Sequence, residues 1–212
     1  AIATFAYQDM AGASYNSSLS LSGVASGPVQ RTLSSGDSAS CAVKNGAVLC
    51  WGLNNKGILG DGSSIRSRSV PSPVSGLDAG VISVAAGVNH ACALRNGGVV
   101  CWGANDDGSL GDGSTNSSLV PVSVSGMSSG VTAIAAGGNT TCAIQNGALK
   151  CWGYNGSGQL GIGSSAASGA NSYRAVPTQV NGLTSGVTAV SLSNDNNANK
   201  PVNHVCAIHT GA

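Results

Sequence analysis

The sequence predicts an all-β protein built from repeated units of about 50 residues. Trp51, Trp102 and Trp152 follow one another at steps of 51 and 50 residues, each inside the same longer motif. Within each unit, short alternating or β-branched segments are separated by clusters of Gly, Asn, Ser and Pro, and no helical period is sustained. Short strands repeated in this way favour the blades of a β-propeller over a sandwich.

The composition excludes several classes of protein. The 212 residues are 42% hydrophobic but only 8% charged, so the chain can bury a core and is not a disordered tail. A net charge of +1 leaves no basic surface for nucleic acid or anionic lipid. No apolar run approaches the length of a membrane span, and no basic residue precedes Arg31 as a secretory signal would require. We expect a soluble, mature or trimmed chain.

Each repeat has the same three parts in the same order. An alternating apolar stretch comes first. A pair of cysteines follows, with Asn-Gly between them and Trp-Gly directly after the second cysteine. The third part, Gly-x-Asn-x-x-Gly-x-Leu-Gly-x-Gly, begins at the glycine of that Trp-Gly. We assign residues 23–212 to the propeller and residues 1–22 to a separate N-terminal segment. The repeats run over about 29–79, 80–129, 130–185 and, incompletely, 186–212.

The repeat resembles the RCC1 repeat family over roughly residues 29–212. Gly87-Val-Asn-His90 and Gly103–Gly113 match its motif closely, and His204 stands at the same place in the fourth copy, whereas Ser38 and Thr140 depart from it. The resemblance implies a propeller, typically of seven four-stranded blades, that acts as a rigid binding platform. It implies no single function, because members serve nucleotide exchange, light sensing, ubiquitin ligation and enzyme inhibition.

Six of the seven cysteines predict disulfides within the blades. Each pair is nine positions apart around a central Asn-Gly, the strongest signal for a two-residue type I′ hairpin turn. Counting from that turn places the two cysteines opposite each other at a non-hydrogen-bonded position, where Cα atoms approach to about 4.5 Å. The alternative, a zinc site, needs cysteines two to four residues apart. The predicted pairs are Cys41 with Cys50, Cys92 with Cys101, and Cys142 with Cys151.

Paired cysteines place the chain outside the cytosol, in an extracellular or cell-surface setting. Each short disulfide loop is expected to contribute roughly 2 to 3 kcal/mol. Cys206 is left over, and its partner by repeat register would be residue 215. Truncation of a longer chain is the simplest explanation, with about three blades missing from a seven-bladed ring. The alternatives are a bond to another chain, a blade finished differently, or a small four-bladed ring.

The N-terminal segment predicts a short helix. Ile2, Phe5, Ala6, Met10 and Ala13 fall near one face at helical spacing. This stretch also resembles the point where the long N-terminal helix of a type IV pilin leaves its membrane-buried half. The alternatives are a leader or a strand that helps close the ring.

Catalysis and metal binding find no support in the sequence. His90 and His204 lie on the strand before a cysteine, where the family histidine has a structural role, and no pair of carboxylates recurs. The Asn105–Gly108 loop fails the calcium-loop pattern because Gly103 stands where the first Asp belongs. This loop and its counterparts are interpreted as turns held by side-chain to backbone hydrogen bonds. We therefore expect that the protein is not an enzyme and that it binds neither a cofactor nor a metal.

Binding is predicted to use loops. Polar insertions at Ser164–Arg174 and Asn194–Val202 enlarge two repeats, and loops on a rigid frame often carry function. Arg and Tyr are favoured in binding interfaces, although a plain solvated loop is the simpler interpretation. The candidate binding residues are Arg66, Arg68, Tyr173 and Arg174.

The predicted function is a non-catalytic binding or adhesion module outside a microbial cell. Its partner would be a protein or cell-surface ligand, without nucleic acid and without membrane insertion of this segment. One alternative is a structural subunit or tip of a pilin-like filament, with association between copies. A second is a nucleotide-exchange factor for a small GTPase, which the paired cysteines and low charge oppose.

Overall fold

A computed structural model describes residues 2–8, 14–20, 31–164, 172–193 and 204–210. These residues form three four-stranded antiparallel sheets, one in each of the first three repeats, and two two-stranded sheets, and the predicted all-β fold class is confirmed. Among these residues, one 3-10 turn, Asn55–Gly57, lies in a loop between strands.

The strand bounds follow the repeats. The N-terminal hairpin consists of β1 (Ile2–Gln8) and β2 (Ser14–Ser20). Blade 1 comprises β3 (Leu33–Ser35), β4 (Ala39–Lys44), β5 (Ala47–Leu53) and β6 (Ser67–Pro73). Blade 2 comprises β7 (Val81–Ala86), β8 (His90–Arg95), β9 (Gly98–Gly103) and β10 (Ser118–Ser123). Blade 3 comprises β11 (Val131–Gly137), β12 (Thr140–Gln145), β13 (Ala148–Tyr154) and β14 (Tyr173–Gln179). The described part of blade 4 comprises β15 (Val187–Leu192) and β16 (Val205–His209).

Consecutive blades lie side by side with their first strands together. In each complete blade the strands pair in chain order, so the fourth strand forms the far edge. Strand β7 contacts both β3 and β11, and β11 contacts β15. This is the blade arrangement of a propeller, in which first strands line the centre and fourth strands the outside.

The central hairpin of each blade turns through two residues of positive φ. Asn96 has φ 50° and Gly97 has φ 77°, and the other two hairpins repeat these values closely. Both angles match a type I′ turn, whose twist suits the flanking strands. The turn pairs Arg95 with Gly98 and, three pairs further on, Cys92 with Cys101.

The predicted disulfides are present in all three complete blades. They join Cys41 to Cys50, Cys92 to Cys101, and Cys142 to Cys151, with Cα atoms 4.0–4.1 Å apart. All six cysteines are fully buried. Each pair lies on the face that packs against the next blade, so it is part of an apolar layer between blades.

Each buried tryptophan ties its blade to the one before. Trp102 Nε1 donates to the carbonyl of Ile58 at 2.7 Å, and Trp152 Nε1 donates to the carbonyl of Ser109 at 2.9 Å. Both rings are fully buried, so these bonds are shielded from water. A glycine of the preceding blade makes room for each ring. A Cβ on Gly60 would lie 2.7 Å from Trp102 Nε1, and Gly60 has φ +65°.

Two expectations are corrected. The N-terminal segment does not form the predicted helix, because residues 2–8 pair with residues 14–20 as antiparallel strands, Ile2 opposite Ser20. Four of the seven residues in β1 are β-branched or aromatic, types that favour strands. The pilin-like interpretation loses the helix on which it rested. In blade 1, Ala39 rather than Ser38 occupies the position of His90, since Ala39 lies opposite Gly52 as His90 lies opposite Gly103.

Replacing Trp102 with Phe should destabilise the protein more than replacing Trp152 with Phe. Loss of the Trp102 donor leaves the buried Ile58 carbonyl without a partner, which costs about 1 to 3 kcal/mol. The Ser109 carbonyl would still accept from the Thr141 hydroxyl at 3.1 Å. Urea unfolding of the two variants measures the difference, and equal losses would contradict the cross-blade assignment.

Candidate functional site

The loops at one end of the blades form the candidate site, which we call the loop face. It consists of the turns between first and second strands (36–38, 87–89 and 138–139) and the described residues of the loops between third and fourth strands (54–66, 104–117, 155–164 and 172). The two sets of loops meet across blades. Asn139 Nδ2 donates to Asp107 at 2.8 Å, and Ser109 Oγ donates to the Asn139 carbonyl at 2.8 Å. The opposite end, with the three Asn-Gly turns, is the turn face.

One asparagine anchors each long loop. Asn105 is fully buried, and its Oδ1 accepts from the Leu110 amide at 2.9 Å. Its Nδ2 donates to the carbonyls of Ser114 and Asn116, each at 3.1 Å. Asn54 and Asn155 make equivalent bonds in their own blades. The loops are therefore turns held by side-chain to backbone hydrogen bonds, as interpreted from the sequence.

A buried hydrogen-bond chain crosses from blade 2 to blade 3. His90 Nε2 lies 2.8 Å from Thr141 Oγ1, and the Thr141 hydroxyl donates to the Ser109 carbonyl at 3.1 Å. Because the hydroxyl hydrogen goes to Ser109, His90 must donate from Nε2. Burial lowers the pKa of His90 to about 4, so the ring is neutral at pH 7. This histidine is a structural link between blades.

Charges on the loop face are largely compensated within it. Lys56 bonds Asp106 of the next blade at 3.1 Å, and Arg68 holds Asp61 through two nitrogens at 3.0 and 2.8 Å. Partial burial acts to raise the pKa of Asp61, but hydrogen bonds from Ser63 and Arg68 outweigh it and the pKa is lowered. Burial raises the pKa of Asp107, which Asn139 partly offsets.

The four predicted binding residues divide between two blades. Arg68 and Arg174 occupy equivalent positions, opposite Gly52 and Gly153, and both are half-buried. Arg68 is engaged with Asp61, and Arg174 donates to Ser164 Oγ at 3.2 Å. Arg66 is exposed, and Tyr173 is half-buried beside Arg174. Tyr173 and Arg174 thus stand together at the base of the blade 3 insertion, apart from Arg66 and Arg68.

The sequence reasoning missed Tyr154 and the way in which Asn155 closes the insertion. Tyr154 lies directly opposite Tyr173, which makes an aromatic pair that blades 1 and 2 lack. Asn155 Nδ2 donates to the Ser164 carbonyl at 2.7 Å, and its backbone amide donates to the Ser172 carbonyl at 2.7 Å. Residues 165–171 and the second insertion, 194–202, lie outside the described residues. The sequence does not show that β13 pairs with β14 across the insertion, so it did not indicate that Tyr154 and Tyr173 lie opposite each other.

Cys206 lies on β16, opposite Ser191, and is exposed with a free thiol. A cavity of about 410 Å³ beside it is lined by Arg31, Ile134, Val190, Ser191 and Ile208 as well as Cys206. Arg31 donates to Ser191 Oγ at 3.1 Å. Within the described ranges, no three His, Cys, Asp or Glu side chains gather as metal ligands would.

Comparison with known proteins decides the family. The model of the Regulator of chromosome condensation (RCC1) repeat matches residues 45–94, 96–144 and 146–198, more than half of the chain. The chain belongs to the RCC1 repeat family. A second RCC1 repeat model matches residues 81–109.

Curated relatives match this RCC1 chain over less than half of its length. It is 45% identical over 76 residues to the human E3 ubiquitin-protein ligase HERC2. This alignment covers 35% of this chain and 2% of that protein. It is 36% identical over 88 residues to the Ultraviolet-B receptor UVR8 of Arabidopsis thaliana, covering 40% of this chain and 20% of that protein. The chain therefore spans only a small part of these relatives.

Two solved structures share the fold. Prp20p from Saccharomyces cerevisiae superposes with a TM-score of 0.64 at 22% identity, over 76% of this chain and 41% of that one. Human WBSCR16 gives 0.63 at 22% identity, over 84% and 46%. The chain thus spans less than half of either protein. Among the residues described here, no helix has the length and apolar character to cross a membrane.

The stability of the protein should fall between pH 7 and pH 5 because of His90. Its pKa is about 4 when folded and near 6.5 when unfolded, so the unfolded state binds the proton first as the pH drops. The expected loss is about 2 kcal/mol, measured by urea unfolding at both pH values. The variant His90→Asn should flatten this dependence, while His209→Asn, at an exposed site, should not. An unchanged pH profile in His90→Asn would refute the assignment.

Proposed function

We propose that this chain is a non-catalytic binding module whose loop face carries the ligand outside the cell. The observation that carries the proposal is the anchoring of each described long loop by one asparagine, fully buried in blades 2 and 3 and half-buried in blade 1. Loops held in this way present the same surface before and after binding, which lowers the entropic cost of association. A rigid frame with one enlarged loop is better suited to binding a ligand than to catalysing a reaction.

The partner is proposed to be a protein or another cell-surface ligand, met at the base of the blade 3 insertion. Tyr154 lies opposite Tyr173, and Arg174 follows Tyr173 in the strand, so residue types that dominate binding energy at interfaces stand at the base of this insertion. Half-burial of all three limits the side-chain entropy lost on contact. The compensated charges elsewhere on the loop face favour a neutral polar or protein surface over a polyanion.

The absence of catalysis is part of the proposal. His90 is buried and committed to Thr141, and Asp61 is committed to Arg68. Asp107, whose pKa is raised by burial, is held by Asn139 and has no basic partner within the described residues with which to share a proton. General acid–base chemistry needs a pair of groups that reach a common substrate.

A role in nucleotide exchange finds less support. Prp20p, whose binding to Gsp1p and histones has been studied, is similar in fold, and at 22% identity that likeness concerns the fold alone. This chain has a net charge of +1 and three buried disulfides. Disulfides persist in oxidising compartments, whereas a partner on chromatin would be met in a reducing one.

Protein isolated from its natural source should have its six repeat cysteines already oxidised. We expect Cys41, Cys50, Cys92, Cys101, Cys142 and Cys151 to resist alkylation in denaturant until a reductant is added. The alkylation of Cys206, which is exposed, is measured separately. Peptide mass mapping after differential alkylation measures this. Labelling of the six before reduction would contradict an extracellular location.

Changes at the base of the insertion should weaken binding without unfolding the protein. The test measures fluorescent protein on intact cells of its own source organism by flow cytometry. Tyr173→Ala combined with Arg174→Ala should lower binding at least tenfold, the effect of losing about 1.4 kcal/mol. Thr184→Ala with Ser185→Ala, exposed on the turn face of the same blade, is the matched control. Equal binding by both variants would contradict the assigned surface.

A further inference from the structure

We propose that the turn face is a site of spontaneous covalent modification, at Asn45, Asn96 and Asn146. Each of these asparagines is exposed and precedes a half-buried glycine in a two-residue turn. Asn-Gly is the dipeptide most prone to lose its side-chain amide, since glycine presents no side chain to hinder attack by its own nitrogen. The repeat thus places one reactive asparagine at the same point of each complete blade.

The reaction uses only the chain and water. The backbone nitrogen of Gly97 attacks Cγ of Asn96, so a new C–N bond closes a five-membered imide. The Cγ–Nδ2 bond breaks, and the amide nitrogen leaves as ammonia with the proton given up by Gly97. Water then opens the imide at either carbonyl. One opening leaves aspartate, and the other leaves isoaspartate, in which the main chain runs through the former side chain.

The geometry leaves the reacting groups accessible. The three asparagines are exposed. Within the described part of the chain, the amides of Gly46, Gly97 and Gly147 donate no backbone hydrogen bond. The Asn96 carboxamide lies over Gly80, where an added Cβ would come within 2.8 Å of its oxygen. This contact must be released before the amide can react, while the exposed asparagine side chain meets water on its open side.

Asn155, which precedes Gly156, is an internal contrast. It is fully buried, its Oδ1 accepts from Leu160 at 3.1 Å, and its Nδ2 donates to Ser164 at 2.7 Å. Both bonds must break before Gly156 can attack. The same dipeptide is thus exposed on the turn face and locked on the loop face of the same fold.

The two products differ in their effect on the hairpin. Aspartate suits the first position of a type I′ turn as well as asparagine does, so this product keeps the register. Isoaspartate lengthens the main chain inside the two-residue turn and disturbs the pairing of Arg95 with Gly98. Conversion of all three turns would take the formal net charge from +1 to −2. The turn face would therefore acquire negative charge as the protein ages.

The disulfide beside each turn limits how fast the reaction runs. Attack requires the asparagine to leave its positive-φ conformation, so the turn must open locally. The Cys92–Cys101 bond closes the hairpin at the fourth residue pair from the turn and restricts that opening. Reduction of the disulfide should therefore accelerate modification of the adjacent asparagine.

The test is a time course of the folded, oxidised protein in mildly alkaline buffer, followed by peptide mass mapping. We expect amide loss at Asn45, Asn96 and Asn146 at least about tenfold faster than at Asn155, since two hydrogen bonds protect the latter. The variant Asn96→Asp should keep its stability and lose only its own signal.

Two comparisons can overturn the proposal. Equal rates at Asn155 and at the turns in the folded protein would show that the fold does not select the sites. A reduced, unfolded sample should raise the rate at Asn155 to that of the turns. If Asn155 stays slow there, its local sequence and not the fold protects it, and the assignment fails.

Discussion

The two-residue Asn-Gly turn is the constraint on which the rest of the structure depends. Its positive φ angles make Arg95 and Gly98 the first pair of the hairpin, and every later pair follows by counting. That register puts Cys92 opposite Cys101 on the face toward the next blade. It also puts the following tryptophan on the face toward the preceding blade, where its indole meets a buried carbonyl. A shift of one residue would exchange the two faces.

Packing between blades converts this local register into a rigid loop face. The Ser109 carbonyl accepts from both Trp152 and Thr141, and Thr141 in turn accepts from His90, so blades 2 and 3 share one polar network. The network is fully buried. A slight separation of the blades would therefore break its hydrogen bonds without admitting water to replace them. The anchored loops above it inherit this rigidity. The proposed binding surface, on the loop face, is thereby separated from the proposed modification sites, on the turn face.

Much of the fold could be predicted because it repeats. Turn chemistry and the spacing of cysteines lie within a dozen residues, and each appears three times. Contacts between blades could not be predicted, since nothing near His90 in the sequence indicates Thr141 as its partner, 51 residues away. The same holds for Tyr154 and Tyr173, which pair across an insertion. The N-terminal helix was wrong because helical spacing of a few apolar residues was weighed above the strand preference of Ile2, Thr4, Phe5 and Tyr7.

The register itself is tested most directly by moving one cysteine. In the double variant Val100→Cys with Cys101→Val, the new thiol lies opposite Ala93 and on the other face of the strand from Cys92. Peptide mapping without reduction should then find Cys92 and the new cysteine unlinked, with the Cys41–Cys50 and Cys142–Cys151 bonds intact. A bond between Cys92 and position 100, formed in full and with unchanged resistance to urea, would show that the turn does not set the register.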